Sequence, residues 1–205
     1  MTSLKLTTPA GRCEWPKLTK PDCYKPKHDG TDVYKYSVKM VFDPTDNRWA
    51  KFLEDLDMLA QEAWNSFMTT QKKKRKAPEP LYGLHDQLDD EGNETGMKTL
   101  TFYAWGRWTK DGVEKTRKLP MFDKNNQAFE PEGELGSGTV LKVSFGFKGY
   151  VSGSNAGVSL PLRAVKIISP EYFGGGGGND FADDETTEED FEVAGQSMGS
   201  DDGDY

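Results

Sequence analysis

The chain reads as a mainly β fold: a small, partly open barrel with one long helix between its strands and a disordered acidic tail. Three observations predict it. Several segments alternate apolar and polar residues at period two, one window alone has helical periodicity, and residues 174–205 hold eleven acids but no Lys or Arg. There is no strand–helix–strand rhythm and no internal repeat.

In chain order, residues 10–30 are rich in Pro, Lys and turn formers. Pro16, Pro21, Pro26 and Asp29-Gly30 predict short extended pieces there. Val33–Phe42 is the first clear strand. Tyr34, Tyr36, Val38, Met40 and Phe42 point to the core, and Lys35, Ser37 and Lys39 point away. Asp43-Pro44 ends it, and either Asp43 or Asp46 caps the helix that follows. Trp49, Phe52, Leu53, Leu56, Leu59, Ala60, Ala63, Trp64 and Phe67 recur at steps of three and four, one wide apolar stripe. About 22 residues give a helix of roughly 33 Å, suited to lie across a sheet or plug a barrel end. Its aromatics belong to the core.

The basic run Lys72-Lys73-Lys74-Arg75-Lys76 follows, which suits a solvated loop or a phosphate contact. Asp86 to Gly96 reads as an acidic surface loop. In Thr99–Trp108, Leu100, Phe102, Ala104 and Gly106 alternate with Thr101, Tyr103, Trp105 and Arg107, so one face is core while the other presents rings beside a guanidinium. Lys110-Asp111-Gly112 turns the chain, Lys115, Arg117 and Lys118 form a basic segment ending at Pro120, and Gly133–Gly138 is another turn. Thr139–Tyr150 is the third strong strand, with Gly146 and Gly149 marking curvature or a bulge. Ser152 to Gly157 reads as a flexible hairpin loop. Val158–Ile168 returns with Leu160 and Leu162 inward, and Pro161 marks an edge position or bulge. An OB-fold fits this order; a different barrel or a sandwich stays open.

Residues 1–173 are enough for one domain with a real core. Gly174–Gly178 is a flexible tether, and too few apolar residues follow to repay the ordering of 174–205. The whole chain carries −8, but the tail alone carries −11, which leaves the body about +3. A basic body with its own polyanion predicts a nucleic-acid binder whose tail competes for the basic surface. Mean hydropathy is −0.76 and no window approaches a membrane span, so no membrane association is expected. No leader is expected from Met1-Thr2-Ser3-Leu4-Lys5, and Cys13 and Cys23 are expected reduced.

The chemistry points away from catalysis. No nucleophile elbow or phosphate loop is present, and Cys13, Cys23, His28 and His85 match no zinc spacing. We expect no enzyme activity, no cofactor and no metal. Sequence-independent binding of nucleic acid needs cations for phosphates and exposed rings for bases. Trp15 with Lys17 and Lys20, Tyr24 with Lys25 and Lys27, Tyr103-x-Trp105-x-Arg107-Trp108, and Tyr150 near Lys148 supply both. The helix is acidic on its polar face (Glu54, Asp55, Asp57, Glu62), which disfavours duplex DNA and favours single strands. Tyr103, Trp105, Trp108 and Tyr150 are the candidate stacking residues, with Arg107 alongside. Lys35, Lys39, Lys115, Arg117, Lys118, Lys148 and the run Lys72, Lys73, Lys74 and Arg75 are the candidate phosphate path. A protein-interaction or assembly module, and an RNA-binding or annealing protein, stay open as alternatives.

Taken in order, Tyr34-Lys35-Tyr36-Ser37-Val38-Lys39-Met40, the helix from Asp46, Leu100-Thr101-Phe102-Tyr103-Ala104, Gly138 to Phe145, Gly157 to Val165 and the aromatic-ended tail carry a resemblance. Over most of its length the chain resembles the OB-fold single-stranded DNA-binding proteins of tailed bacteriophages, of the type with an acidic C-terminal tail. The resemblance implies protection of single-stranded DNA during phage replication or recombination, in the cytoplasm of the infected bacterial host. It also implies that the tail end, Asp201, Asp202, Asp204 and Tyr205, contacts phage or host replication proteins; better-known relatives end in Phe where this chain has Tyr205. Some relatives dimerise through the tail, and a homodimer stays open here. The run 72–76 and the glycine tether have no counterpart in the family pattern.

Overall fold

The computed structural model describes residues 4–24, 32–71, 83–110, 112–152 and 155–173. Eleven strands and one helix follow in order: β1 (Lys5–Thr7), β2 (Gly11–Tyr24), β3 (Val33–Phe42), α1 (Asn47–Thr69), β4 (Leu84–Leu88), β5 (Glu94–Lys110), β6 (Val113–Thr116), β7 (Met121–Phe122), β8 (Val140–Gly146), β9 (Lys148–Ser152), β10 (Asn155–Ser159) and β11 (Leu162–Ser169). The main sheet runs β4-β5-β3-β2-β8-β11-β7, with β1 added to β8 and β6 to β5, and β9 and β10 form a separate two-stranded sheet. A parallel bridge from Tyr103 to Pro161 brings β5 to the start of β11 and draws the curved sheet toward closure. This is the mainly β, open OB barrel with a single long helix between strands that the pattern predicts.

Alternation builds the interior. Val38, Met40, Leu100, Phe102, Leu141, Val143, Phe145, Leu162 and Val165 are at most 1% exposed, and they come from four strands. Phe102 and Phe145 meet at its centre, ring centroids 4.7 Å apart. The helix then closes one barrel end. Phe42 stacks on Trp49 at 4.1 Å, and Phe52 makes T-shaped contacts with both Trp49 and Phe145. Burying such side chains contributes roughly 1.5–3 kcal/mol each.

Asp46 is the helix cap: its Oδ1 accepts the Arg48 backbone N–H at 2.8 Å, and the Arg48 guanidinium donates to Oδ2 at 2.7 Å. These bonds, that from the guanidinium first, hold the Asp46 carboxyl down at about 2. Asp43 instead closes the preceding turn, accepting from the backbone and hydroxyl of Thr45. The second half of the helix leaves the main core. Ala63 and Trp64 pack with Ala156 and Val158, and Phe67 joins them. The helix thus props up the β9–β10 hairpin, which the main sheet does not pair.

The structure departs from the sequence pattern in four places. Residues 11–24 form one long strand rather than short pieces, because its prolines fall within register shifts (between Glu14 and Lys17 and between Lys17 and Asp22), where no ladder donor is needed. Trp15 takes φ 47° there. Most of the expected loop 86–96 is strand: β4 and β5 close around Asp89, whose carboxylate accepts the backbone N–H of Glu91 and Asn93. The strand expected over 139–150 breaks at Phe147. Residues expected as a loop at 155–157 are instead paired in β10. Pro26 and Asp29-Gly30 lie outside the described residues.

Gly149 sits directly under the helix. A Cβ there would lie 2.3 Å from Cγ and 2.5 Å from Cβ of Phe67. Gly149→Ala should therefore destabilise the protein by about 1–3 kcal/mol in urea unfolding. In G149A/F67A the total loss should fall short of the sum of the two single losses, because the clash and the ring are one interaction.

Candidate nucleic-acid interface

The residues that alternate with the core form the outer face. On β3 they are Lys35, Ser37 and Lys39, and on β5 Thr101, Tyr103 and Trp105; Arg107, expected to continue this face, instead pairs with Tyr34 because the register shifts after Trp105. Antiparallel register sets Lys35 opposite Trp105 and Ser37 opposite Tyr103. Both rings stay open, Tyr103 being 53% and Trp105 48% exposed. Two further elements wall this face into a groove. The hairpin supplies Lys148, Tyr150 and Ser159, and the link into β11 supplies Leu160, Pro161 and Leu162. With Lys35, Tyr103, Ala104, Trp105 and Arg117 they enclose about 350 Å³.

Cations are arranged around the rings. The Lys35 ammonium lies 4.6 Å from the Trp105 ring centroid and 6.0 Å from that of Tyr103. Burial pushes its pKa below the ordinary lysine value. Arg117 is fixed at both ends. Its backbone N–H donates to the Gly106 carbonyl at 2.7 Å, and its Nη2 to the Arg163 carbonyl at 3.1 Å.

Of the residues singled out in the sequence, the groove therefore brings together Lys35, Tyr103, Trp105, Arg117, Lys148 and Tyr150. Others lie apart from it. Arg107 is ion-paired with Glu114, its Nε 2.8 Å from the carboxylate, while its guanidinium covers Tyr34 at 5.4 Å. Lys39 pairs with Glu14, and Lys118 with Glu130. Lys115 is exposed on β6 opposite Trp108. Trp108 is half-buried, lies beyond the register shift that follows Trp105, and is not among the groove's lining residues. Lys72, Lys73, Lys74, Arg75, Asp201, Asp202, Asp204 and Tyr205 lie outside the described residues. Sequence reasoning missed the wall formed by Ser159–Leu162. Its signal was Pro161, a residue without an N–H inside an otherwise regular strand pattern.

A second cavity of about 550 Å³ lies toward the other end of the β3–β5 pair, between Arg12, Val41, Phe42, Met97 and Gly138. Glu14 and Asp43 stand at its walls and it carries no pair of open rings, so the smaller groove is the better site for a polyanion. Among the described residues, no group of three or more His, Cys, Asp and Glu could hold a metal ion. Nor is any described helix long and apolar enough to cross a membrane.

Comparison with known proteins agrees with this architecture. A family model described as the single-stranded DNA-binding protein of bacteriophage T7 matches residues 10–169. The fold is similar to the crystal structure of gp2.5, a single-stranded DNA-binding protein encoded by bacteriophage T7. The TM-score is 0.64 at 20% identity, over 98% of this chain and 100% of that one. It is also similar to the single-stranded DNA-binding protein of bacteriophage Enc34 in complex with single-stranded DNA. There the TM-score is 0.53 at 13% identity, over 82% of this chain and 87% of that one. A C-terminal truncation of the Enc34 protein gives 0.56 at 15% identity, over 82% and 88% of the two chains. No curated protein sequence matches the chain.

The two faces of β5 should separate in stability measurements. Trp105→Ala removes a ring that is half in solvent and should stay within about 0.5 kcal/mol of the parent. Phe102→Ala, three positions away on the fully buried face, should lose about 3–5 kcal/mol. Urea unfolding of the two variants checks both.

Proposed function

Because the chain belongs to the bacteriophage T7 family of single-stranded DNA-binding proteins, proteins that bind rather than catalyse, we propose that it coats and protects single-stranded DNA, without sequence preference, during phage replication or recombination. The observation that carries this reading is the open pair Tyr103 and Trp105 on one strand face, ringed by Lys35, Arg117, Lys148 and Tyr150. Rings accept any base through its π-face, and cations take the phosphates on either side. Nothing in such an arrangement reads a base edge, which accounts for indifference to sequence.

In this reading residues 1–173 are the binding domain and residues 174–205 an acidic tail on a glycine tether, acting in the cytoplasm of the infected host. The tail carries −11 against a body of about +3 and competes with DNA for the groove. When DNA displaces it, Asp201, Asp202, Asp204 and Tyr205 become available to replication proteins. Lys39, Lys115, Lys118, Arg107 and Trp108, with Lys72–Arg75, form an outer set that meets a longer strand beyond the groove. Those of them held by carboxylates exchange that partner for phosphate.

Titration of full-length protein with poly(dT), poly(U) and duplex DNA over a range of salt tests the reading. Binding to poly(dT) should be tightest, and each phosphate contact should add about 0.7 to the salt slope. Equal binding to duplex would count against a single-strand groove, and preference for poly(U) would make the protein an RNA binder. Trp105→Ala should weaken poly(dT) binding by about 1–3 kcal/mol per stacked base lost. Truncation after Phe173 should tighten binding to oligo(dT) at low salt, with the gain shrinking as salt rises. Unchanged affinity in the truncated protein would remove the competitive role of the tail.

A further inference from the structure

One tryptophan stands outside both the groove and the core. Trp15 is 71% exposed, more than any other described tryptophan. From Glu14 to Lys17 β2 advances three residues while β3, from Lys39 to Ser37, advances two, so β2 carries one extra residue, a bulge. Unbroken alternation from the buried Cys13 would turn residue 15 inward. The bulge leaves Trp15 in solvent and buries Pro16 instead. Trp15 takes φ 47°, a left-handed conformation that a bulky residue rarely adopts, and its N–H donates to Ser137 Oγ at 3.0 Å. The chain thus strains its backbone to keep a large ring in water, and strain of this kind clusters at functional sites.

The register leads from the groove to this bulge. Tyr103 bridges to Pro161 on the groove wall and stands opposite Ser37 on β3, and Ser37 stands opposite Lys17 on β2. Side chains directly opposite one another share a face. At about 4.8 Å per strand, Lys17 stands about 10 Å from Tyr103, and Trp15 is two residues away from it along β2. Lys17 is exposed. The row itself carries no acid. Glu14 stands in the next row on one side, paired with Lys39, and Asp22 in the next row on the other, opposite Lys35. Glu134, three residues before Ser137, is paired with Lys20 at 3.6 Å. We propose that Trp15 is a second base-stacking residue: a single strand leaves the groove at Tyr103, crosses the sheet over Ser37 and Lys17, and stacks a further base on Trp15. The inference rests on the reading of the groove as a single-strand site and gives the strand a direction across the barrel. Lys17 meets a phosphate between the two rings, and the span suits an OB-fold site, which takes about 4–16 nucleotides.

The test titrates full-length protein into fluorescein-labelled oligo(dT) of about 16 nucleotides, the long end of that range, and reads anisotropy. Trp15→Ala should weaken binding about 5-fold or more at an unchanged salt slope, because a stacked base is lost and a phosphate contact is not. Trp15→Phe keeps a π-face and should recover most of the affinity. Lys17→Gln should lower the salt slope by about 0.7. In W15A/W105A the two losses should add, as they do for sites more than about 7–10 Å apart. Trp15→Gly, which adopts φ 47° without strain, replaces W15A if that variant does not fold. A W15A protein that binds as tightly as the parent overturns the proposal, leaving single-strand binding intact and Trp15 to a protein partner. A W15A loss that disappears in the W105A background also overturns it, because Trp15 then acts through the groove. Failure of the parent protein to bind oligo(dT) overturns the single-strand reading and the proposal with it.

Discussion

The contact between Phe67 and Gly149 carries more than its size suggests. The β9–β10 hairpin forms its own two-stranded sheet, so no ladder of the main sheet fixes where Lys148 and Tyr150 stand. Its position comes from packing on the second half of α1, where Trp64 and Phe67 meet Ala156 and Val158. Phe67 can lie so close only because position 149 has no side chain. One helix therefore has two jobs. Its first half, through Trp49, Phe52 and Leu56, completes the barrel core; its second half aims one wall of the groove. The two are rigidly linked because the helix is continuous from Asn47 to Thr69.

Charge in this molecule acts locally. The body's net charge of about +3 says little about where an anion would be welcome, because Lys39, Arg107 and Lys118 each face a carboxylate. Around the two open rings Lys35, Arg117 and Lys148 converge, Lys35 with Asp22 opposite it across the β2–β3 ladder, and none of the groove's described lining residues is an acid. Exposed ion pairs are weak and screened by salt, so the outer lysines and Arg107 are readily traded to another anion. The groove and its surroundings thus form a graded surface, strongest at the rings and adjustable outward.

How much of this was legible depends on the period of each signal. Strands β3 and β5 were readable because Tyr36, Val38, Met40, Leu100, Phe102 and Ala104 keep strict alternation, and the outward placement of Lys35, Tyr103 and Trp105 followed directly. The helix was readable because its stripe runs unbroken for more than five turns. Strand β2 was not, because Pro16 and Pro21 look like breakers until the bulges that accommodate them are seen. The pairing of Arg107 with Glu114 was hidden for a similar reason. It needs the β5–β6 register, which alternation alone does not supply. The Leu160–Leu162 wall is a tertiary feature: it exists because Pro161 bridges to Tyr103, a residue 58 positions earlier in the chain.

Strand β5 divides labour by parity. Even positions from Leu100 to Gly106 are sealed in the interior, and at Gly106 a methyl group would already strike Pro21 and Tyr36. Odd positions 101, 103 and 105 face outward and bear little of the folding load. Selection can therefore rewrite that outer face one residue at a time without crossing a stability threshold, while the alternate residues stay under tight steric control. Such a strand is a natural chassis for divergence. The same barrel can be retained while its ligand preference drifts, and a combinatorial library confined to the odd positions would explore new specificities within a fold that stays intact.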